Sequence, residues 1–224
     1  MKVYYAHGGG YTEIYGLKNF LKKIRNDLEY GRIFPARFKL PKINKNKNEE
    51  GDTGKKIFKK LKERLKYSEH ENSILLVIDD GDCLFYNKER SFMQSLEDFK
   101  KFLKEKNIKG IFLYIEPEIE KFLCIDKSWI KNNKCEIKEK DIYSLLEELL
   151  ENYNYELNKD KNGCKVKFSD KLEEILKICG IIKRFSKKTD GSEYLKKIDP
   201  YKIAKEDKDL RNFINEVNSI KISQ

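Results

Sequence analysis

The stretch Ser73 to Cys83, SILLVIDDGDC, constrains this chain most. The unbroken apolar run Ile74 to Ile78 leads straight into Asp79, Asp80 and, past Gly81, Asp82. A β-branched and leucine run without polar alternation suits a central strand covered on both faces, as in parallel sheets. The carboxyl ends of such strands are where α/β folds place their ligands. The pattern therefore predicts carboxylates at the rim of a sheet, with Gly81 letting the backbone turn so that two of them approach one hard cation such as Mg²⁺ or Mn²⁺. Asp and Gly also form ordinary turns, and a plain turn accounts for the same residues.

The flanking sequence reads as alternating strands and helices. Lys2 to Ala6 is a short apolar strand, followed by His7-Gly8-Gly9-Gly10. Thr12 is placed to cap a helix that carries Glu13 in its first turn and the stripe Ile14, Leu17, Phe20, Leu21, Ile24, Leu28. A glycine loop ahead of a helix can hold a phosphate on its amides. This one lacks both the Lys-Ser/Thr of a P-loop and the GxGxxG spacing, so a tight β-to-α turn remains open. Arg32 to Leu40 predicts a second strand, pushed toward a sheet edge by Pro35. Lys42 to Gly54 reads as a surface loop, and Thr53 as the cap of a helix reaching about Tyr67. A helix from Lys88 to Lys106 and a strand from Gly110 to Ile115 follow. Strands alternating with helices of this length give βαβ units and a parallel sheet.

A second acidic cluster, Glu116-Pro117-Glu118-Ile119-Glu120, stands directly after that last strand. Pro117 fits the first turn of a helix, and Glu118 and Glu120 fall near its amino end, where carboxylates are favoured. Acids gathered at one place repel unless a cation or a basic side chain joins them, which makes a share in a metal site the competing reading. Beyond residue 130 the periodicity is helical: Asp141 to Leu157, Asp170 to Arg184, and a last helix with Leu210, Phe213, Ile214 and Val217, with a short strand at Cys164 to Phe168. The expected division is an α/β part over residues 1–130 and a helical extension over 131–224 packed on it, or one domain overall. Lys183, Arg184, Lys187 and Lys188, with Phe185 among them, form the densest basic run. Such a run suits a single-strand nucleic-acid surface. It also suits a helix C-terminus, where cations are favoured.

Composition enters at three points. With 48 Lys plus Arg against 38 Asp plus Glu in 224 residues, the net charge of +10 favours a polyanionic partner such as DNA or RNA. No apolar run nears the roughly 20 residues of a membrane span, and the opening residues lack a signal peptide's apolar segment, so a cytoplasmic protein without membrane contact is expected. The five cysteines include no CxxC pair, and they are expected as reduced thiols.

Taken together, YYAHGGGYTE, LLVIDDGDC and PEIEKFLCID resemble the strand-and-glycine loop, the Asp-x-Asp strand and the acidic pre-helical segment of the Toprim fold. They are most similar to Toprim-like proteins related to the RloB proteins, a family often encoded beside ATPases in bacterial defence loci. TDGSEYLKKIDPYKIAKEDKDLRNFI resembles that family's closing pattern, so the likeness spans nearly the whole chain. The resemblance implies a Toprim-like α/β domain with helices on both faces and a helical C-terminal extension. It implies a metal-dependent nuclease in which Asp80 and Asp82 hold Mg²⁺ or Mn²⁺ with Glu118 and Glu120 nearby, working with an ATPase partner in anti-phage defence, and it leaves room for a homo-oligomer. In the Toprim pattern a glutamate that moves protons precedes the glycine loop; here that place holds His7. Three readings follow: His7 carries the proton, Glu13 reaches across the loop, or the site is degenerate and the protein is a binding or regulatory subunit of an ATPase complex.

Overall fold

The computed structural model of the protein describes residues 2–8, 10–35, 37–39, 46–48, 54–66, 70–81, 90–131, 135, 140–154, 159–160, 163–164 and 167–221. In chain order these form β1 (Val3–His7), α1 (Tyr11–Ile24), β2 (Tyr30–Phe34), β3 (Arg37–Lys39), β4 (Asn46–Asn48), α2 (Lys55–Arg64), β5 (Ile74–Asp80), α3 (Arg90–Glu105), β6 (Lys109–Ile115) and α4 (Lys121–Ile125). A 3₁₀ turn (Lys127–Trp129), α5 (Ile142–Asn152), β7 (Lys159–Asp160), β8 (Gly163–Cys164) and α6 (Phe168–Ile178) come next. The chain closes with a π-helical turn (Lys187–Gly191), α7 (Ser192–Lys197), α8 (Pro200–Glu206) and α9 (Lys208–Asn218).

The four longer strands make one parallel sheet in the order β2-β1-β5-β6. All seven residues of β5 are buried, as the unbroken apolar run requires of a central strand. The order reverses once: the chain steps outward from β1 to β2, then returns past β1 to β5 and continues to β6. Right-handed crossovers on either side of such a reversal send α1 to one face of the sheet and α2 and α3 to the other. The two cores show that division. Val3, Tyr5, Leu76, Ile78 and Leu113 pack under Leu17, Phe20 and Leu21 of α1. Ala6, Leu75 and Val77, of opposite parity, pack under Ile57, Phe58 and Leu61 of α2 and Phe92, Phe99 and Leu103 of α3. The fold is thus α/β, with helices on both faces and further helices toward the C-terminus.

Those later helices share the first core. Phe213, Ile214 and Val217 of α9 belong to it, as do Leu172 and Leu176 of α6 and Leu195 of α7. The ends are tied electrostatically as well. Arg25 Nη1, just past α1, donates to the carbonyls of Val217 and Asn218 at 3.1 and 3.2 Å, satisfying groups that a helix C-terminus leaves open. Lys121 of α4 pairs with Asp207, the cap of α9, at 2.7 Å.

Several expectations change in detail. The strand expected over Arg32 to Leu40 breaks at Pro35: β2 ends at Phe34, and Arg37–Lys39 pairs antiparallel with Asn46–Asn48 inside the segment expected to be loop. Pro35 lacks the N–H that a continuing ladder needs. Thr53, expected as a cap, lies outside the described residues, and Gly54 precedes α2 with φ +58°. Thr12 does not cap α1; Gly10 holds that position and Thr12 is inside the helix. Pro117 does not open a helix, because α4 begins only at Lys121 and residues 116–120 form a turn. Cys164 lies in β8, but Phe168 begins α6 rather than ending a strand. Cys135 and Cys179 are disulfide-bonded rather than reduced, while Cys124 is a buried free thiol.

α1 and α7 cross closely enough that a Cβ on Gly16 would sit 2.8 Å from Leu195 Cδ2 and 3.1 Å from the Ser192 carbonyl oxygen. In an open helix interior Gly→Ala stabilises by roughly 1 kcal/mol. Here Gly16→Ala should instead destabilise by about 1–2 kcal/mol, because overpacking outweighs propensity. Urea denaturation gives the sign, and a gain in stability would contradict the close α1–α7 crossing.

Candidate functional site

The reversal in strand order puts the switch point at the carboxyl ends of β1 and β5, the place where doubly wound sheets take ligands. Side chains alternate between faces along a strand, so Asp80 falls on the α1 side with Ile78, and Asp79 on the α2 side. Asp79 Oδ2 accepts from Gly54 N at 2.8 Å and anchors the start of α2. The two neighbouring aspartates thus serve opposite faces of the sheet.

On the α1 face Asp80 meets a group of acids drawn from distant parts of the chain. Its Oδ1 accepts from Ile119 N at 2.9 Å, which pins the turn after β6 against the end of β5. That turn leaves Glu118 and Glu120 buried and facing inward. Glu118 Oε2 accepts from Ser169 N at 2.8 Å, in the first turn of α6, where the helix dipole favours a negative charge. Glu120 Oε1 accepts from Thr12 Oγ1 at 2.8 Å. Glu13, the next residue of α1, is also buried, and its carboxyl is coupled to those of Asp80 and Glu120. Buried carboxyl groups coupled in this way favour a proton or a cation between them.

One cation enters the group from the C-terminal part. Lys187 Nζ lies 3.3 Å from Glu118 Oε1 and 3.5 Å from Glu120 Oε1. Burial alone would lower its pKa, but Glu120, Glu118, Asp80 and Glu13 together outweigh that and raise it, so Lys187 stays charged. Its position depends on Gly191. A Cβ there would stand 2.5 Å from Thr12 Oγ1, so only glycine lets the π-helical turn lie against the start of α1.

The four acids Glu13, Asp80, Glu118 and Glu120 face a single ammonium among the described residues, and burial forbids all of them from ionising together. Glu13 is pushed up to about 7, first by burial and then by Glu120, with its own backbone amide, Lys187 and the Asp80 carboxyl pulling the other way. Asp80 is raised well above the carboxylate range by burial, then by Glu13, Glu120, Glu118 and Asp79. Glu120 is raised by burial, against the pull of Lys187. Its second oxygen, Oε2, is buried with no hydrogen-bond partner among the described residues.

The sequence-derived candidates therefore separate. Asp80, Glu118 and Glu120 come together. Asp82 lies outside the described residues. His7 is buried on the same face, with neither ring nitrogen hydrogen-bonded among the described residues. Its pKa is lowered to about 3 by burial and then by Arg32, and it is therefore a neutral imidazole beside a guanidinium. Sequence reasoning left Glu13 as one alternative and did not place Lys187 or Thr12 in the site. The TE of YYAHGGGYTE carried the signal for Glu13 and Thr12; for Lys187 there was only a basic run with a helix-end explanation.

An all-carboxylate donor set fits a hard divalent cation in kind. Among the described residues no group of three His, Cys, Asp or Glu stands close enough to hold an ion. That does not disqualify Mg²⁺, which usually keeps several waters and takes one or two protein carboxylates along with substrate phosphate. Asp80 would be the carboxylate left for such an ion, because Glu118 and Glu120 already have Lys187 as their counter-ion. Comparison with protein-family models, curated proteins and solved structures returns no match for this chain.

A carboxyl raised in the folded state binds its proton more tightly there than in the unfolded chain, so its contribution is complete below the unfolded value and is lost as pH rises through the folded one. For Glu13 that window runs from 4.5 up to about 7. In chelator-containing buffer the parent should lose stability across this window by roughly a few kcal/mol relative to Glu13→Gln, whose amide does not titrate. Denaturant titrations of both proteins across the window check this, and parallel pH profiles would contradict it.

Proposed function

We propose that the protein is a metal-dependent phosphodiester hydrolase of the Toprim type acting on nucleic acid. What supports this most is the coupled Glu13–Asp80 carboxyl pair, buried at the carboxyl ends of β1 and β5 with Lys187 beside it. Asp80, together with Asp82, is the ligand pair for Mg²⁺ or Mn²⁺; when bound, the ion polarises the phosphate and offsets its developing charge. Glu13 takes the proton-carrying role, because a carboxyl near 7 can accept and return a proton at neutral pH. His7, held neutral by burial and Arg32, is poorly suited to that role. Thr12 and Lys187 fix Glu120, and Lys187 places a positive charge where an anionic substrate approaches. The excess of lysine over the chain favours a polyanion. The resemblance to RloB-related proteins extends the proposal to a cytoplasmic role in anti-phage defence beside an ATPase.

A second reading is favoured by Lys187 itself. Its ammonium already neutralises two of the acids that the resemblance assigns to metal binding. In that reading the site is a structural ion cluster, and the protein is a binding or regulatory subunit of an ATPase complex.

The two readings separate in one experiment. Cleavage of labelled single- and double-stranded DNA and RNA is followed with Mg²⁺ or Mn²⁺ for the parent, Asp80→Asn and Glu13→Gln, and the melting temperature of each protein is recorded. A hydrolase should cut as the parent and lose about a hundredfold or more in each variant while remaining folded. A parent inert with both metals and every substrate supports the subunit instead.

A further inference from the structure

β6 is an outer strand of the sheet, and an open groove of about 1020 Å³ runs along its far side between α3 and the end of α9. In a parallel strand alternate residues turn their backbone groups to opposite neighbours. Lys109 N donates to Ser73 O and Gly81 N donates to Ile115 O, so the odd-numbered residues of β6 face β5. Gly110, Phe112 and Tyr114 therefore point their N–H and C=O into the groove, and all three line it. Among the described residues no hydrogen bond reaches the outward backbone groups of Gly110 or Phe112.

Sheet edges are normally protected by lysines or prolines along the strand, by bulges or by short length. From Gly110 to Ile115 this strand has no charge, no proline and no register shift against β5. The charges stand on the groove's rim instead: Lys100, Lys104, Lys109 and Lys221 against Glu216. Lys100 is paired with Glu97, but Lys104, Lys109 and Lys221 have no ion pair among the described residues.

We propose that this open edge is a docking site for an extended acidic segment of a partner protein, which adds a strand beside β6. Backbone donors and acceptors of such a segment satisfy Gly110 and Phe112 in both directions, and acidic side chains on it meet the lysine rim. A second copy of this chain brings lysine rim against lysine rim, which opposes pairing. A DNA backbone suits the lysines but has no donors for the outward carbonyls.

Three probes test this by native-state hydrogen exchange and fluorescence anisotropy: a blocked peptide of alternating Glu and Val matching the seven residues of β6, the same peptide with Lys for Glu, and an oligothymidylate. The Glu/Val peptide should bind and slow exchange of the Gly110 and Phe112 amides by about tenfold or more, while the Lys/Val peptide does neither. The double variant Lys104→Glu/Lys109→Glu should reverse that preference. Any of four results overturns the proposal: no protection by either peptide, protection by oligothymidylate alone, protection that grows with protein concentration, or amides already protected in the monomer.

Discussion

Everything at the carboxyl ends of β1 and β5 follows from the difficulty of burying four carboxylates around one ammonium. Glu13, Asp80, Glu118 and Glu120 are each nearly inaccessible, and Lys187 touches two of them. Such a group survives only if every charge is met by a proton, a backbone amide or a counter-ion. Here all three are used. Ile119 N and Ser169 N serve Asp80 and Glu118, Lys187 serves Glu118 and Glu120, and raised pKa values favour the protonated forms of Glu13 and Asp80. Stored protons of this kind can be exchanged for a divalent cation, which links the electrostatics of the fold to the proposed chemistry.

The C-terminal helices are part of this arrangement and not a decoration on the α/β core. α6 supplies an amide to Glu118, and the turn before α7 supplies Lys187. That turn and α7 are held against α1 by contacts that tolerate no side chain at Gly16 or Gly191. A strand end, a helix start, a post-strand turn and a segment more than a hundred residues downstream of Asp80 meet at one point. Shifting any one of these would leave a buried charge uncompensated, and that dependence gives the packing its specificity.

The sheet and its faces were legible in the sequence because their signals are periodic. Ile74 to Ile78 suits a covered strand, and Leu17, Phe20, Leu21 and Ile24 recur at helical spacing. Asp80, Glu118 and Glu120 were legible as acids at strand ends. What escaped is non-periodic or long-range. The β3–β4 hairpin is polar and too short to show an alternation. Pro117 was read as a helix start, when the turn it occupies instead turns Glu118 and Glu120 inward. Lys187 has no local mark, since its partners are Glu118 and Glu120, and only the tertiary fold brings them together. The Cys135–Cys179 bridge joins residues 44 apart with no motif at either end.

Lys187 is the counter-charge on which the buried acids Glu118 and Glu120 depend. Its charge is present at all pH values below its ordinary value and so acts fully at neutrality. Removing it as Lys187→Met keeps the side-chain length and leaves Glu118 and Glu120 without their cation. At pH 7 the variant should lose about 3–5 kcal/mol of unfolding free energy in chelator, as expected for a buried pair stripped of one partner. The loss should shrink toward pH 5, where protons replace the missing charge. A variant as stable as the parent at pH 7, or a loss of equal size at both pH values, would contradict it.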